Sequence, residues 1–162
     1  MTARGAAVHV AFVRDPYARL MLAGRKTIEA RLSRVRCEPF GRVRRGERIY
    51  FKTAAGYAAT AVVSRIEHEE DLTPARVRAI RRARNASILG SPGFWEASLG
   101  ARFATLIHLA RLEATACGPA VSLARGDRRA WLTLDAAACV YPACLSGIAG
   151  RPNIERVERR AA

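Results

Sequence analysis

Lysine is almost missing from this chain. Of its 28 basic residues only Lys26 and Lys52 are lysines, and the rest are arginines. A compact, titratable ammonium is not equivalent to a guanidinium, so the two lysines stand out as site candidates. Other absences narrow the function classes. No apolar run reaches the roughly 18 residues that mark a membrane-spanning helix, so no membrane partner is expected. No glycine-rich phosphate loop follows a strand, which argues against a doubly wound nucleotide-binding sheet. The four cysteines, Cys37, Cys117, Cys139 and Cys144, contain no Cys-x-x-Cys pair. A zinc site would need Cys37 or Cys117 to converge with a histidine on the other two. Small buried free thiols are the ordinary reading, and neither metal nor cofactor is expected. No Ser or Cys accompanies His9, His68 or His108, so a nucleophile–histidine hydrolase has no support. Each histidine reads as a packed or half-exposed strand residue. Without a cysteine framework or a signal-like leader, the expected compartment is the cytoplasm.

Acid is also in short supply. The net charge is +14 and the pI near 11.2, which favours polyanionic partners. An arginine-rich composition can arise without any partner, so clustering matters more than the total. Residues 25–48 hold nine cations against three acids. Arg76, Arg78, Arg81, Arg82 and Arg84 follow one another with no acid between them.

The 162 residues suggest one domain. Strands are expected at 8–14, 27–32, 48–53, 57–67, 103–114 and 130–134, with basic loop 33–46 between the second and third. A helix is expected at 16–23, capped by Asp15 and ended by Gly24. Another opens at Thr73-Pro74 and runs to Asn85, burying Val77 and Ile80 and presenting Arg78, Arg81 and Arg82 together. Phe94 and Trp95 lie in a short turn suited to plugging a barrel. The division expected is a domain over 1–135 and a C-terminal extension over 136–162, loosely held from 146. Six short strands mixed with two or three short helices suit an α+β barrel.

The most informative stretch is Gly24-Arg25-Lys26-Thr27-Ile28-Glu29-Ala30-Arg31. Alternation puts Thr27, Glu29 and Arg31 on one strand face, about 6–7 Å apart, so they can meet a ligand as a unit. A Glu–Arg pair on a strand is often only a surface ion pair. Gly46-Glu47-Arg48-Ile49-Tyr50-Phe51-Lys52 follows as a turn and a strand carrying the second lysine. The aromatics Tyr50, Phe51, Trp95 and Trp131 are read as core, with a stacking role open for Tyr50.

These residues resemble the ASCH domain family (activating signal cointegrator homology), a branch of the PUA-like β-barrels. Its pattern G-x-K-x-x-E-x-R is met by Gly24, Lys26, Glu29 and Arg31. Its later G-[DE]-x-[IV]-x-F is met by Gly46, Glu47, Ile49 and Phe51. Asp71-Leu72-Thr73 matches a third feature that opens a helix. The resemblance covers about residues 8–114 and implies a small PUA-like barrel that binds RNA or a nucleotide-like ligand in a basic cleft. Arg25, Lys26, Arg31 and Lys52 would contact phosphates or a base edge, and Arg78, Arg81 and Arg82 would add backbone affinity. Glu29 would orient its neighbours or accept from a base amino group.

The resemblance also implies an alternative, a small hydrolase acting on RNA or on N4-acylated cytidines. In the amidohydrolase-type members a Lys, a Thr three residues later and a distal Glu do the work. Lys26 matches; Glu29 stands where the Thr would be, and the distal acid is open among Glu67, Glu69 and Glu70. RNA cleavage would instead use Lys26 and Glu29 as an acid/base pair. The expectation to test is that Lys26, Glu29, Arg31 and Lys52 converge on one concave surface.

Overall fold

Period-two alternation decides which side chains fill this molecule. The computed structural model describes residues 6–142, so the expected loose tail from 146 lies outside the described residues. The elements are β1 (Ala7–Phe12), α1 (Asp15–Leu22), β2 (Ile28–Ser33), β3 (Arg48–Thr53), β4 (Gly56–Glu69), α2 (Pro74–Ile88), α3 (Pro92–Ala97), β5 (Phe103–Ala114) and β6 (Trp131–Asp135). The six strands form one sheet in the order β2-β5-β4-β3-β1-β6. All neighbours are antiparallel except β1 with β3. Strands β2 and β6 are its two edges, so the curled sheet is a half-barrel.

Ile49 and Phe51 on β3, Ala59, Ala61 and Val63 on β4, and Ile107 and Leu109 on β5 share the inner cluster. Each large apolar side chain buried there contributes about 1.5–3 kcal/mol relative to exposure. Met21 of α1 belongs to the same cluster and is wholly buried. The helix that fills the half-barrel is therefore α1. The expected plug, Phe94 and Trp95, is instead on the other side. Trp95 packs with Val77, Ile80 and Ile88 of α2 against Ile28 and Ala30 of β2, and Phe94 borders this second cluster. Trp95 takes that place because its indole N–H donates to Asn85 Oδ1 at 2.9 Å, at the end of α2.

The caps follow local chemistry with one difference. Thr73 Oγ1 accepts from Arg76 N at 3.2 Å, as a cap before a first-turn proline should. In α1 the cap position is Arg14, with no side-chain bond, and Asp15 is already helical. An acid there still suits the helix dipole. Gly24 follows with φ +70°, a conformation that favours glycine and lets the chain reverse into β2. Residues 136–142 return to the body: Ala136 N donates to Ala6 O, Ala120 N to Val140 O, and the Tyr141 ring lies 6.1 Å from Tyr50. The thiols differ from expectation. Cys37 is exposed in the basic loop, Cys139 is half-buried, and Cys117 is disulfide-bonded.

Candidate nucleic-acid interface

The turn after α1 folds Lys26 inward. Its ammonium donates to Ile88 O at 2.6 Å and Ile28 O at 3.0 Å, and lies 3.4 Å from Glu29 Oε2. Three acceptors surround a group with three donors, so the charge is held without an unmet proton. The Lys26 and Glu29 side chains are only 5% and 6% exposed. The Tyr17 ring of α1 lies 5.2 Å from the ammonium and adds a cation–π contact.

Glu29 and Arg31 share a face of β2, as alternation requires. That face carries their β5 partners Ile107 and Thr105 toward the interior. Arg31 Nε and Nη2 both reach Glu29 Oε1 at 2.8 Å. Nη2 also donates to Phe12 O at 3.1 Å and Nη1 to Ala130 O at 3.2 Å. Phe12 ends β1 and Ala130 immediately precedes β6. One guanidinium therefore spans the gap that backbone bonding leaves between β2 and the far side of the sheet. The Trp131 ring lies 5.5 Å from its centre.

Beside this bridge opens a cleft of about 580 Å³, walled by Phe12, Arg14, Tyr17, Lys26, Glu29 and Phe94. Arg31 also faces it, and Gly90, Ser91 and Gly93 form a lip. Gly90 has no room for a side chain: a Cβ would sit 2.7 Å from Phe94 and from Trp95. Three cations thus stand against one carboxylate along an aromatic-walled cleft.

Not all the expected residues meet there. Lys52 alternates with Ile49 and Phe51 and so lies on the opposite face of β3, its ammonium 4.7 Å from the Tyr57 ring. Burial, then the neighbouring Tyr50, pushes the Tyr57 hydroxyl up to about 12. Lys52 is thus absent from the cleft wall, contrary to the expected convergence. Arg25 is exposed at the turn before Lys26. Arg78, Arg81 and Arg82 are exposed on α2 and form no ion pair among the described residues. Ile88, whose carbonyl holds Lys26, is seven residues beyond Arg81 on α2, about 10 Å along the axis.

The candidate distal acids are occupied elsewhere. Glu69 pairs with Arg76 at 2.6 Å, and Glu70 with Arg36. Glu67 Oε1 meets His108 Nε2 at 2.6 Å, with Arg84 at 3.3 Å and Arg65 at 3.4 Å. Burial raises the Glu67 carboxyl, but the His108 hydrogen bond and the two arginines outweigh it and leave it below its ordinary value. None of the three lines the cleft. Among the described residues no group of three or more His, Cys, Asp or Glu is gathered to hold a metal, and no helix is long and apolar enough to cross a membrane.

The sequence missed Tyr17 and the carbonyls of Phe12, Ile88 and Ala130, whereas His9 is the packed strand histidine expected. Only Tyr17 had a usable signal, because Pro16 sets the register of α1. His9 is wholly buried, its Nε2 2.8 Å from Glu47 Oε2 and its Nδ1 3.3 Å from the Trp131 indole nitrogen. An indole nitrogen only donates, so Nδ1 accepts and Nε2 carries the proton toward Glu47.

No protein-family model matches the sequence, and no curated protein matches it. Solved structures do match. A tyrosine-to-phenylalanine mutant of ZmASCH from Zymomonas mobilis aligns with TM-score 0.52 and 15% identity, covering 70% of this chain and 74% of that one. The crystal structure of ASCH from Zymomonas mobilis aligns with TM-score 0.51 and 15% identity, covering 66% and 69%. This chain has an ASCH-like fold. At this identity the likeness concerns the fold alone. Of the Gly24–Arg31 stretch, residues 24–27 form the turn before the edge strand β2 and residues 28–31 lie on it.

Proposed function

We propose that the protein binds single-stranded RNA, or a nucleotide-like ligand, in the cleft between α1 and β2. The observation that carries this reading is the linked Lys26, Glu29 and Arg31, the first two buried and Arg31 half-buried, set beside Tyr17, Phe12 and Phe94. Aromatic walls accept a base by stacking, and a local excess of cations favours its phosphate. Arg14 and Arg25 extend the positive surface at the mouth, and Arg78, Arg81 and Arg82 extend it along α2. Lys26 and Glu29 serve mainly to hold the cleft in shape, because each is engaged by neighbours on several sides. That arrangement favours a binder over the hydrolase alternative, which needs a Lys free to move protons and a distal acid within reach.

The test is equilibrium binding of a labelled single-stranded RNA to wild type, Arg14→Ala and Tyr17→Ala, with cleavage and N4-acetylcytidine turnover assayed in parallel. Tyr17→Ala is expected to weaken binding by about 1–3 kcal/mol, the worth of one stacking partner. Unchanged RNA affinity in both variants would remove the cleft from the reading. Wild-type turnover that Glu29→Gln abolishes, in protein that still folds and binds, would make the hydrolase correct.

A further inference from the structure

Arg31 has a second cavity on its other side. This one measures about 510 Å³, within the usual range for small-molecule sites, and shares Arg31 and Leu32 with the first. Its lining includes Phe40, Phe103, Trp131 and Thr105, with Glu38 and Arg128 among its polar groups. Phe40 and Phe103 meet edge-on at 5.2 Å, and the Arg36 guanidinium lies 5.0 Å from Phe40. Arg36 is paired with Glu70, and Arg129, also in the lining, with Asp127. Arg128 has no ion-pair partner among the described residues and is exposed. Arg31 commits four of its five N–H donors to Glu29, Phe12 O and Ala130 O, which leaves one on Nη1.

We infer that the second cavity receives the base of the next nucleotide of a single-stranded RNA whose backbone crosses Arg31. The inference rests on the RNA reading of the first cleft. The lining joins aromatic rings and one carboxylate, Glu38, to three arginines, Arg31, Arg128 and Arg129. The half-buried rings of Phe40 and Phe103 and the Glu38 carboxylate suit a base carrying an exocyclic amine, as Glu accepts from cytosine N4. A phosphate has no place beside Glu38, but the remaining Arg31 N–H and Arg128 offer donors where the backbone must pass. The two cavities, joined only through Arg31 and Leu32, read as neighbouring nucleotide positions and not as one large site.

The experiment measures affinities of cytidine monophosphate and of the 5′-phosphorylated dinucleotide pCpC for wild type, Phe40→Ala and Arg128→Ala, each checked for folding by thermal melting. The expected result is that pCpC binds at least about 10-fold more tightly than the mononucleotide. Phe40→Ala should cut pCpC affinity by about 5- to 150-fold, the worth of one base stacking on an aromatic ring, and leave the mononucleotide unchanged. If Phe40→Ala does not fold, Phe40→Leu removes the ring while keeping apolar volume, and the same outcome is expected of it. Mononucleotide binding with no gain for pCpC overturns the second position and leaves the first cleft standing. So does an equal loss for both ligands in the Phe40 variant. Binding of neither ligand removes the RNA reading, and the second position with it.

Discussion

Glu29 is the residue on which the cleft wall depends. It is nearly buried and neutralises parts of two cations at once. Removing one partner of a buried ion pair leaves the other uncompensated, which costs about 3–5 kcal/mol. Glu29→Gln is therefore expected to lower stability by about that amount, read by urea denaturation. Lys26→Met alone should also destabilise, and combining it with Glu29→Gln should cost less than the sum, since the pair couples. Additive losses would mean that the pair does not interact energetically. Glu67 offers a pH-dependent counterpart. Its carboxyl is depressed in the fold, so its stabilising contribution is complete above its ordinary value of about 4.5 and is lost as pH falls through the depressed value. Glu67→Gln should flatten the fall of stability with pH below about 4.5. A parallel acid limb in the variant would assign that proton uptake elsewhere.

At the scale of elements, α2 turns one side to the body of the protein and another to water. Val77, Ile80 and Ile88 hold it to β2, while Arg78, Arg81 and Arg82 point to water. Replacing the three arginines by Ala should change stability little, because they form no ion pair among the described residues. Each lost phosphate contact should reduce the slope of log affinity against log salt by about 0.7, so the triple variant should flatten it by about two. An unchanged slope would make that face mere solvated surface. The helix, the edge strand and their polar face were legible because each is written in local periodicity. Thr73-Pro74 marks one boundary, and the Ile28/Ala30 and Glu29/Arg31 alternation fixes the faces of β2. Other features were not legible. Lys26 is held by a carbonyl 62 positions away, a partner that depends on where α2 ends in space. The placing of Met21, rather than Trp95, in the half-barrel depends on which helix the topology brings to which face. Lys52 was legible in principle, since β3 alternation opposes it to Phe51.

For the whole molecule, the closure of the sheet by a side chain instead of a backbone ladder is the feature most open to measurement. Arg31 reaches Phe12 O and Ala130 O while gripping Glu29. Lysine keeps the charge but has no planar fork to serve three partners at once. Arg31→Lys is expected to speed amide exchange at the junction of β1 and β6 and to lower the melting temperature, with the β3–β4–β5 core amides little changed. Uniform acceleration over the whole sheet would show that the bridge supports global stability and is no local latch.

The same bridge imposes an order on the protein's own birth. Strand β1 needs β6 beside it, and Arg31 needs the carbonyl of Ala130, yet these partners leave the ribosome about a hundred residues after the strand that carries Arg31. Such distant pairings form late. A nascent chain that has finished α2 and β5 already holds every residue of the first cleft's wall, but it still lacks Ala130, which braces Arg31, and the Arg128 to Trp131 side of the second cavity. On the RNA-binding reading, the second nucleotide position is complete only once β6 has been made. An unfinished copy would hold RNA at one position and by charge elsewhere, and a moderate rise in salt would loosen its hold more than that of the finished protein.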